Sequence, residues 1–197
     1  MELKKYLSGR VAYYVADCFS CEKKDVEYLF FLESPHNDEI DSLIPLSGSS
    51  GIAVSKFLFG DNESTPFGQL ISGQKTQFKI GIINISNVPL QRCTLVPESD
   101  FPDEITKLRT SSSTNDDLYQ IFKEKMDAYH FPNLKKIIVC GEFASMYFIK
   151  YNESKKDPWK NEMILKVPHP SRGQWQFVMN NKNSLDELAI LFPKACE

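Results

Sequence analysis

Polar side chains that could bind and transform a ligand follow the apolar segments of this sequence. Glu33 ends the first apolar segment, and His36 follows it by three positions. Asn84 is the last residue but one of the second segment, and His169 follows the last. An asparagine amide can read the polar edge of a heterocycle, because it presents both a donor and an acceptor. A neutral histidine can donate to an oxygen that becomes negative, and a carboxylate can orient water or stabilise a cation. These residue types suit cleavage of an N-glycosidic bond.

The apolar segments are predicted to be the strands of a mainly parallel sheet. Each is short, rich in β-branched or aromatic residues and bounded by turn residues. Their near-continuous apolar character indicates strands that are covered on both faces. They comprise residues 26–33, 78–85, 136–141 and 163–167.

Helical patterns lie between and after these strands, at residues 51–59, 115–129, 142–151 and 185–192. The alternation predicts a single α/β domain over residues 1–197, a three-layer α/β/α sandwich around a four-stranded sheet. Ligands of such sheets bind beyond the carboxyl ends of the strands, so we expect the polar residues at one edge. Residues 87–113 are rich in Pro and Ser and are predicted to form a long loop.

The net charge and the lengths of the apolar runs limit the kinds of partner that this protein could bind. The 197 residues include 26 acids and 23 bases, giving a net charge of −3. A non-specific DNA-binding protein usually has a basic surplus, so any DNA contact here would depend on a local basic rim. No apolar run reaches about 18 residues, and the first residues lack a signal-peptide pattern. We therefore expect a cytoplasmic protein with no membrane contact.

The cysteine pattern predicts reduced thiols. An odd number of cysteines without a signal peptide argues against a disulfide framework. The five are Cys18, Cys21, Cys93, Cys140 and Cys196. Cys18 and Cys21 have metal-ligand spacing, but a zinc site or an iron–sulfur cluster needs four ligands.

Four motifs, in order along nearly the whole chain, resemble those of the uracil-DNA glycosylase superfamily, above all its iron–sulfur branch. LESPH (32–36) followed by PLSGSSG (45–51) is similar to that branch's G-E-x-P-G and P-F-x-G-x-x-G, at the same spacing. IINI (82–85) resembles its I-T-N-I motif, and IIVCGEFA (137–144) resembles the end of its third strand. VPHPSRGQW (167–175) resembles its final histidine-proline motif.

The resemblance implies an α/β/α glycosylase fold and base excision repair, in which uracil or a related damaged base is flipped out of DNA and hydrolysed. It implies a monomer in the cytoplasm, nucleoid or nucleus. Glu33 would act on water or on the sugar cation, Asn84 would read the base and His169 would stabilise the departing base. The remaining expected site residues are His36 for catalysis, Ser34, Pro35 and Leu46 for the base, and Gly48, Ser49, Ser171 and Arg172 for DNA.

The chain departs from the family pattern at several positions. Leu32 and His36 replace glycines of the first motif, and Leu46 replaces an aromatic residue that stacks on the base. Asp38 and Glu39 follow closely, so the identity of the catalytic carboxylate stays open.

The resemblance also bears on cofactors. Cys18, Cys21 and Cys93 match three cluster ligands, but no cysteine lies between residues 94 and 139. We therefore expect no cofactor and no metal.

Two alternatives remain beside the glycosylase. The chain could be a nucleic-acid or nucleobase binding module of the same fold, which the acidic balance and Leu46 favour. It could also hydrolyse free nucleosides or nucleotides, for which an acidic surface is no obstacle.

Overall fold

The protein is built around a five-stranded mixed sheet flanked by helices. The computed structural model describes residues 2–9, 11–171, 174–177 and 182–192. The strands are β1 (Cys18–Phe19), β2 (Tyr28–Leu32), β3 (Ile80–Asn84), β4 (Lys136–Cys140) and β5 (Ile164–Val167). They lie in the order β1-β3-β2-β4-β5.

The four predicted strands pair in parallel, whereas β1 pairs antiparallel with β3. Leu32 lies opposite Asn84, and Cys140 lies opposite Val167. The carboxyl ends of β3, β2, β4 and β5 therefore share one side of the sheet, which we call the carboxyl edge. The sequence predicted only four strands, because the two-residue β1 is too short to show a periodic pattern.

Helices cover both faces of the sheet in the described residues. They are α1 (Leu3–Leu7), α2 (Asn37–Ser42), α3 (Ser49–Phe59), α4 (Phe67–Ser72), α5 (Ile105–Thr110), α6 (Asp116–Asp127), α7 (Glu142–Ser154), α8 (Gln174–Phe177) and α9 (Lys182–Leu191). Short 3₁₀ helices occupy Lys23–Asp25, Glu98–Asp100 and Asn161–Met163.

Side-chain alternation along the strands gives two hydrophobic clusters, one on each face. Phe31 packs with residues of α6 and α7, including Phe122 and Phe148, and we call this side the α6 face. Phe30 packs with residues of α3 and α4, including Val54 and Phe67, and we call this side the α3 face. Coverage of both faces explains why all five residues of β3 are buried.

The segment 87–113, predicted to be a loop, contains a 3₁₀ helix and α5. Val88, Leu90, Phe101, Ile105 and Leu108 are buried and join the cluster of the α6 face. The prediction of a plain loop was therefore wrong. The Pro and Ser content hid apolar residues that are too widely spaced to produce a periodic signal.

Among the described residues, no helix combines the length and the apolar content that crossing a bilayer requires.

Candidate functional site

The carboxyl edge carries the polar residues that the sequence singled out. Glu33 directly follows β2, Asn84 is the last residue of β3, and His169 follows β5 by two positions. Since β3, β2, β4 and β5 are parallel neighbours, all three residues lie on the same edge of the sheet. With strands about 4.8 Å apart, three spacings place the backbones of β3 and β5 about 14 Å from each other.

Asn84 is fully buried, yet its side-chain amide has no hydrogen-bond partner. Both its oxygen Oδ1 and its nitrogen Nδ2 are unpaired, a state that typically costs about 1–3 kcal/mol. Strand alternation directs the side chain to the α3 face, because Ile80 and Ile82 of β3 belong to that cluster. Buried polar groups are nearly always paired in native proteins, so this amide is a candidate ligand-reading group.

The backbone of Asn84 is held by a buried ion pair between Asp17 and Lys125 of α6. Asp17 Oδ1 accepts from the Asn84 N–H at 3.2 Å, and Lys125 Nζ donates to the Asn84 carbonyl. The Nζ–Oδ1 distance within the pair is 3.3 Å, with side-chain exposures of 1% for Asp17 and 13% for Lys125.

Two further side chains complete this network. Asn87 donates to Asp17 Oδ1 and accepts from Lys125, and Tyr129 donates to Asp17 Oδ2 at 3.0 Å. Burial lowers the pKa of Lys125, while Asp17 opposes that change. β1 pairs only with Gly81 and Ile82, so it does not reach Asn84. The network supplies the hydrogen bonds that a longer β1 would otherwise make to the backbone of Asn84.

Glu33 forms an ion pair with Arg109 of α5. The Arg109 Nε contacts Glu33 Oε1, and Nη2 donates to Oε2 at 3.4 Å. The third guanidinium nitrogen, Nη1, donates to Gln91 at 2.7 Å. Burial raises the pKa of Glu33, and the positive charge of Arg109 opposes that rise.

His169 is a partly buried imidazole whose tautomer is set by its own turn. Its Nδ1 accepts from the Ser171 N–H at 3.2 Å, so the proton of the neutral ring lies on Nε2. Burial, reinforced by Arg109, lowers the pKa of His169 to about 4. His169 is therefore a neutral donor at neutral pH.

The positive φ of Gly141, +88°, lets the chain pass close to this ring. A Cβ atom at Gly141 would lie 3.0 Å from the His169 Cβ. The turn is also fixed by two hydrogen bonds, from the Gly141 N–H to the Val167 carbonyl and from Trp175 Nε1 to the Pro168 carbonyl, both at 2.8 Å.

Leu46 is buried on the α3 face, the side to which Asn84 points. Its φ of +54° is uncommon for a bulky residue and indicates local strain. The Leu46 N–H donates to the Glu39 carboxylate, and its carbonyl accepts from the Gly68 N–H at 3.1 Å. Burial raises the pKa of Glu39 to about 7, against the effect of two backbone N–H donors.

The other predicted residues lie around this centre. Pro35 is buried, and Ser34 Oγ accepts from the Leu90 N–H at 3.3 Å. His36 is exposed and lines a separate cavity of about 420 Å³ together with Cys93. His36 thus faces away from the groove beside His169 described below.

The residues predicted to contact DNA are dispersed. Gly48 is the N-cap of α3 and lies against Asp38, and Ser49 is exposed in the first turn of that helix. Ser171 uses its backbone to fix His169. Arg172 lies outside the described residues.

A groove of about 810 Å³ adjoins the site between α5 and α7. Arg109, Gly141 and Pro168 line it, and these residues flank Glu33 and His169. Asn84 is not among its lining residues, because its side chain is fully buried. Lys166 and Phe143 add a cation and an aromatic surface.

Cys18, Cys21 and Cys93 are free thiols, and Cys196 lies outside the described residues. In the part of the chain that the structure describes, no group of three or more His, Cys, Asp or Glu side chains could hold a metal ion. The absence of a cofactor stays a prediction.

Arg109, Asp17 and Lys125 were not predicted from the sequence. Arg109 falls in the segment interpreted as a loop, and the other two lie 108 positions apart. Spacing along the chain carries no signal for such long-range contacts.

No family model matches this chain, and no curated protein matches its sequence.

Proposed function

We propose that this protein is a uracil-DNA glycosylase-like hydrolase that cleaves the N-glycosidic bond of uracil, or of a related damaged base, in DNA. The fold of that superfamily is part of the proposal. Its support is four parallel strands covered by helices on both faces, together with the motif resemblance.

The observation that carries the proposal is the buried, unpaired amide of Asn84. Its Oδ1 could accept from a ring N–H of a pyrimidine while its Nδ2 donates to the adjacent carbonyl. A base that satisfied both atoms would recover the free energy lost by leaving them unpaired. A base that offered only donors or only acceptors at this edge would leave one of the two atoms unpaired and bind less tightly.

His169 and Glu33 supply the chemistry in this proposal. The Nε2–H of neutral His169 would donate to the base oxygen on which negative charge develops as the bond breaks. The ionised Glu33 would stabilise the cationic sugar or orient the attacking water. The backbones of β3 and β5 are about 14 Å apart with β2 and β4 between them, so a base that met both side chains would lie across the ends of those two strands.

Base entry requires a local rearrangement, because the Asn84 side chain has no exposed surface. The strained turn at Leu46 lies on the same face of the sheet and is the element we expect to move. Strained backbone of this kind is often found at ligand sites.

The direct test is release of free uracil from single- and double-stranded oligonucleotides that contain one deoxyuridine. We expect release by the wild type and loss of it, by about 100-fold or more, in Asn84→Ala and His169→Gln. Asn133→Ala and His130→Gln change exposed residues of the same types and should retain wild-type rates. Absence of release by the wild type would refute the enzymatic proposal.

A nucleobase-binding module is the second candidate, and the Arg109–Glu33 contact favours it. That contact occupies both carboxylate oxygens while leaving the Asn84 amide free to recognise a base. Binding of the deoxyuridine oligonucleotide that survives Glu33→Gln, with no release at any pH, would select this alternative. Faster cleavage of free deoxyuridine than of DNA would instead select a nucleoside hydrolase.

A further inference from the structure

Arg109 contacts the predicted catalytic carboxylate with two of its three guanidinium nitrogens. Its Nε and Nη2 face the two oxygens of Glu33, and Nη1 is fixed by Gln91. This side-by-side geometry fixes the plane of the carboxylate as well as its position. The Glu33 side chain is only 12% exposed, whereas that of Arg109 is 40% exposed.

Arg109 also lies beside the turn that carries His169. It lines one wall of the 810 Å³ groove together with Gly141 and Pro168. Pro168 directly precedes His169, and Gly141 is in close contact with the His169 Cβ. One guanidinium therefore adjoins both groups to which the proposed function assigns chemistry.

We propose that Arg109 is a positioning residue that acts on both groups at once, orienting Glu33 as an anion and disfavouring a second positive charge on His169. This inference rests on the proposed function for its catalytic meaning, but the electrostatic coupling exists independently of activity. Segment 87–113 then has a defined role, because its helix α5 delivers this charge to the carboxyl edge.

Charge and burial support the assignment. Burial raises the pKa of Glu33, and Arg109 is the charged neighbour that opposes the rise. The pKa of His169 is lowered to about 4 by burial first and by Arg109 second. Among the described residues, the other charged side chains that line the groove are Glu142 of α7 and Lys166 of β5.

The inference is tested by NMR titration of the Glu33 carboxyl carbon and the His169 ring in the wild type, Arg109→Met and Arg109→Lys. In Arg109→Met we expect both titration midpoints to move to higher pH, because a neutral side chain replaces the cation. Arg109→Lys should keep the His169 midpoint near its wild-type position, since charge alone acts on the ring.

Arg92→Met is the matched control. Arg92 lies in the same segment and forms an exposed ion pair with Glu98, away from Glu33. We expect it to leave both midpoints unchanged. Unchanged midpoints in Arg109→Met, or a rise confined to Glu33, would overturn the coupling.

Base release as a function of pH separates this inference from the proposed function. If the wild type releases uracil, the acid limb of its pH–rate profile should move to higher pH in Arg109→Met and stay in place in Arg92→Met. If the wild type releases none, the proposed function fails, while the two NMR midpoints still decide whether Arg109 couples Glu33 to His169.

Discussion

At the scale of single residues, Asn84 is a buried polar group whose unpaired amide costs stability. Its neighbours Ile80 and Ile82 contribute to the hydrophobic cluster of the α3 face, but its amide lies buried without a hydrogen bond. An apolar side chain of similar shape would avoid that cost. We therefore propose that a ligand, and not folding, accounts for this amide.

Asn84→Leu is expected to raise the free energy of unfolding by about 1 kcal/mol while abolishing base recognition, because it removes an unpaired buried amide. Urea denaturation measures the first effect and oligonucleotide binding the second. Asn152→Leu is the control. Asn152 is also buried, but its amide is paired twice with the backbone of Trp159, so that variant should lose about 1–3 kcal/mol. A destabilised Asn84→Leu would contradict our interpretation of the amide.

His169 makes stability depend on pH in a defined window. Its pKa is about 4 in the folded protein and near the ordinary 6.5 in the unfolded chain. As the pH falls from 6.5 to 4, the unfolded chain takes up a proton that the folded protein does not, so stability decreases. His169→Gln should flatten this part of the profile, as measured by urea unfolding between pH 4 and 7. His130→Gln, at an exposed residue, should leave the wild-type slope unchanged.

At the scale of elements, the end of β3 pairs with β2 on one side, and on the other side a side-chain network takes the place of a neighbouring strand. Asp17 and Lys125 bind the N–H and the carbonyl of Asn84, where β1 no longer pairs. Lys125→Met would leave the buried Asp17 carboxylate without a counter-ion, so we expect a loss of about 3 kcal/mol or more in unfolding free energy.

Two further variants test whether the buried charge of Asp17 causes this loss of unfolding free energy. Asp17→Asn combined with Lys125→Met should recover part of it, because no buried charge remains. Lys123→Met on the same helix removes only an exposed ion pair with Asp127 and should cost less than about 1 kcal/mol. Similar losses for Lys123→Met and Lys125→Met would contradict a special role for the buried pair.

The sequence predicted those elements whose own apolar residues form a recognisable pattern. The four parallel strands are apolar on both faces, and α6 shows helical periodicity after the Asn115 cap, whose side chain accepts from the Leu118 N–H at 3.0 Å. By contrast, β1 has two residues and α5 has six, which is too few for a periodic pattern. Their positions depend on contacts with distant parts of the chain.

For the candidate site, the sequence likewise predicted which residues lie at the ends of the strands, but not the partners of these residues. Glu33, Asn84 and His169 were placed at one edge because they lie at or just beyond the ends of predicted strands, and parallel strands bring their carboxyl ends to the same edge. The partners of these residues, Arg109 and Lys125, come from helices whose approach to the sheet is set by tertiary packing. His36 was grouped with Glu33 by its proximity in sequence, but the turn after β2 directs it to the cavity beside Cys93.

At the scale of the whole molecule, the net charge of −3 limits how the protein could engage DNA. Among the described residues, the groove beside the site offers two cations, Arg109 and Lys166, and Arg109 is engaged by Glu33. Within the described residues, Lys166 has no ion-pair partner. In the part of the chain that the structure describes, this groove therefore offers very few phosphate contacts.

We expect a shallow salt dependence of oligonucleotide binding for this reason. Each phosphate neutralised on single-stranded DNA contributes about −0.7 to the slope of log K against log salt, so one or two contacts give a slope of about −1. Fluorescence anisotropy measures this slope with the His169→Gln variant, in which we expect the uracil base to stay attached to the oligonucleotide. Adding Lys166→Gln should make this slope less steep by about 0.7.

Lys156→Gln is the control. Lys156 is exposed just beyond the far end of α7, about 20 Å along that helix from Gly141. A slope near −5, or one unaffected by Lys166→Gln, would place the DNA on another surface and separate the groove from the substrate strand.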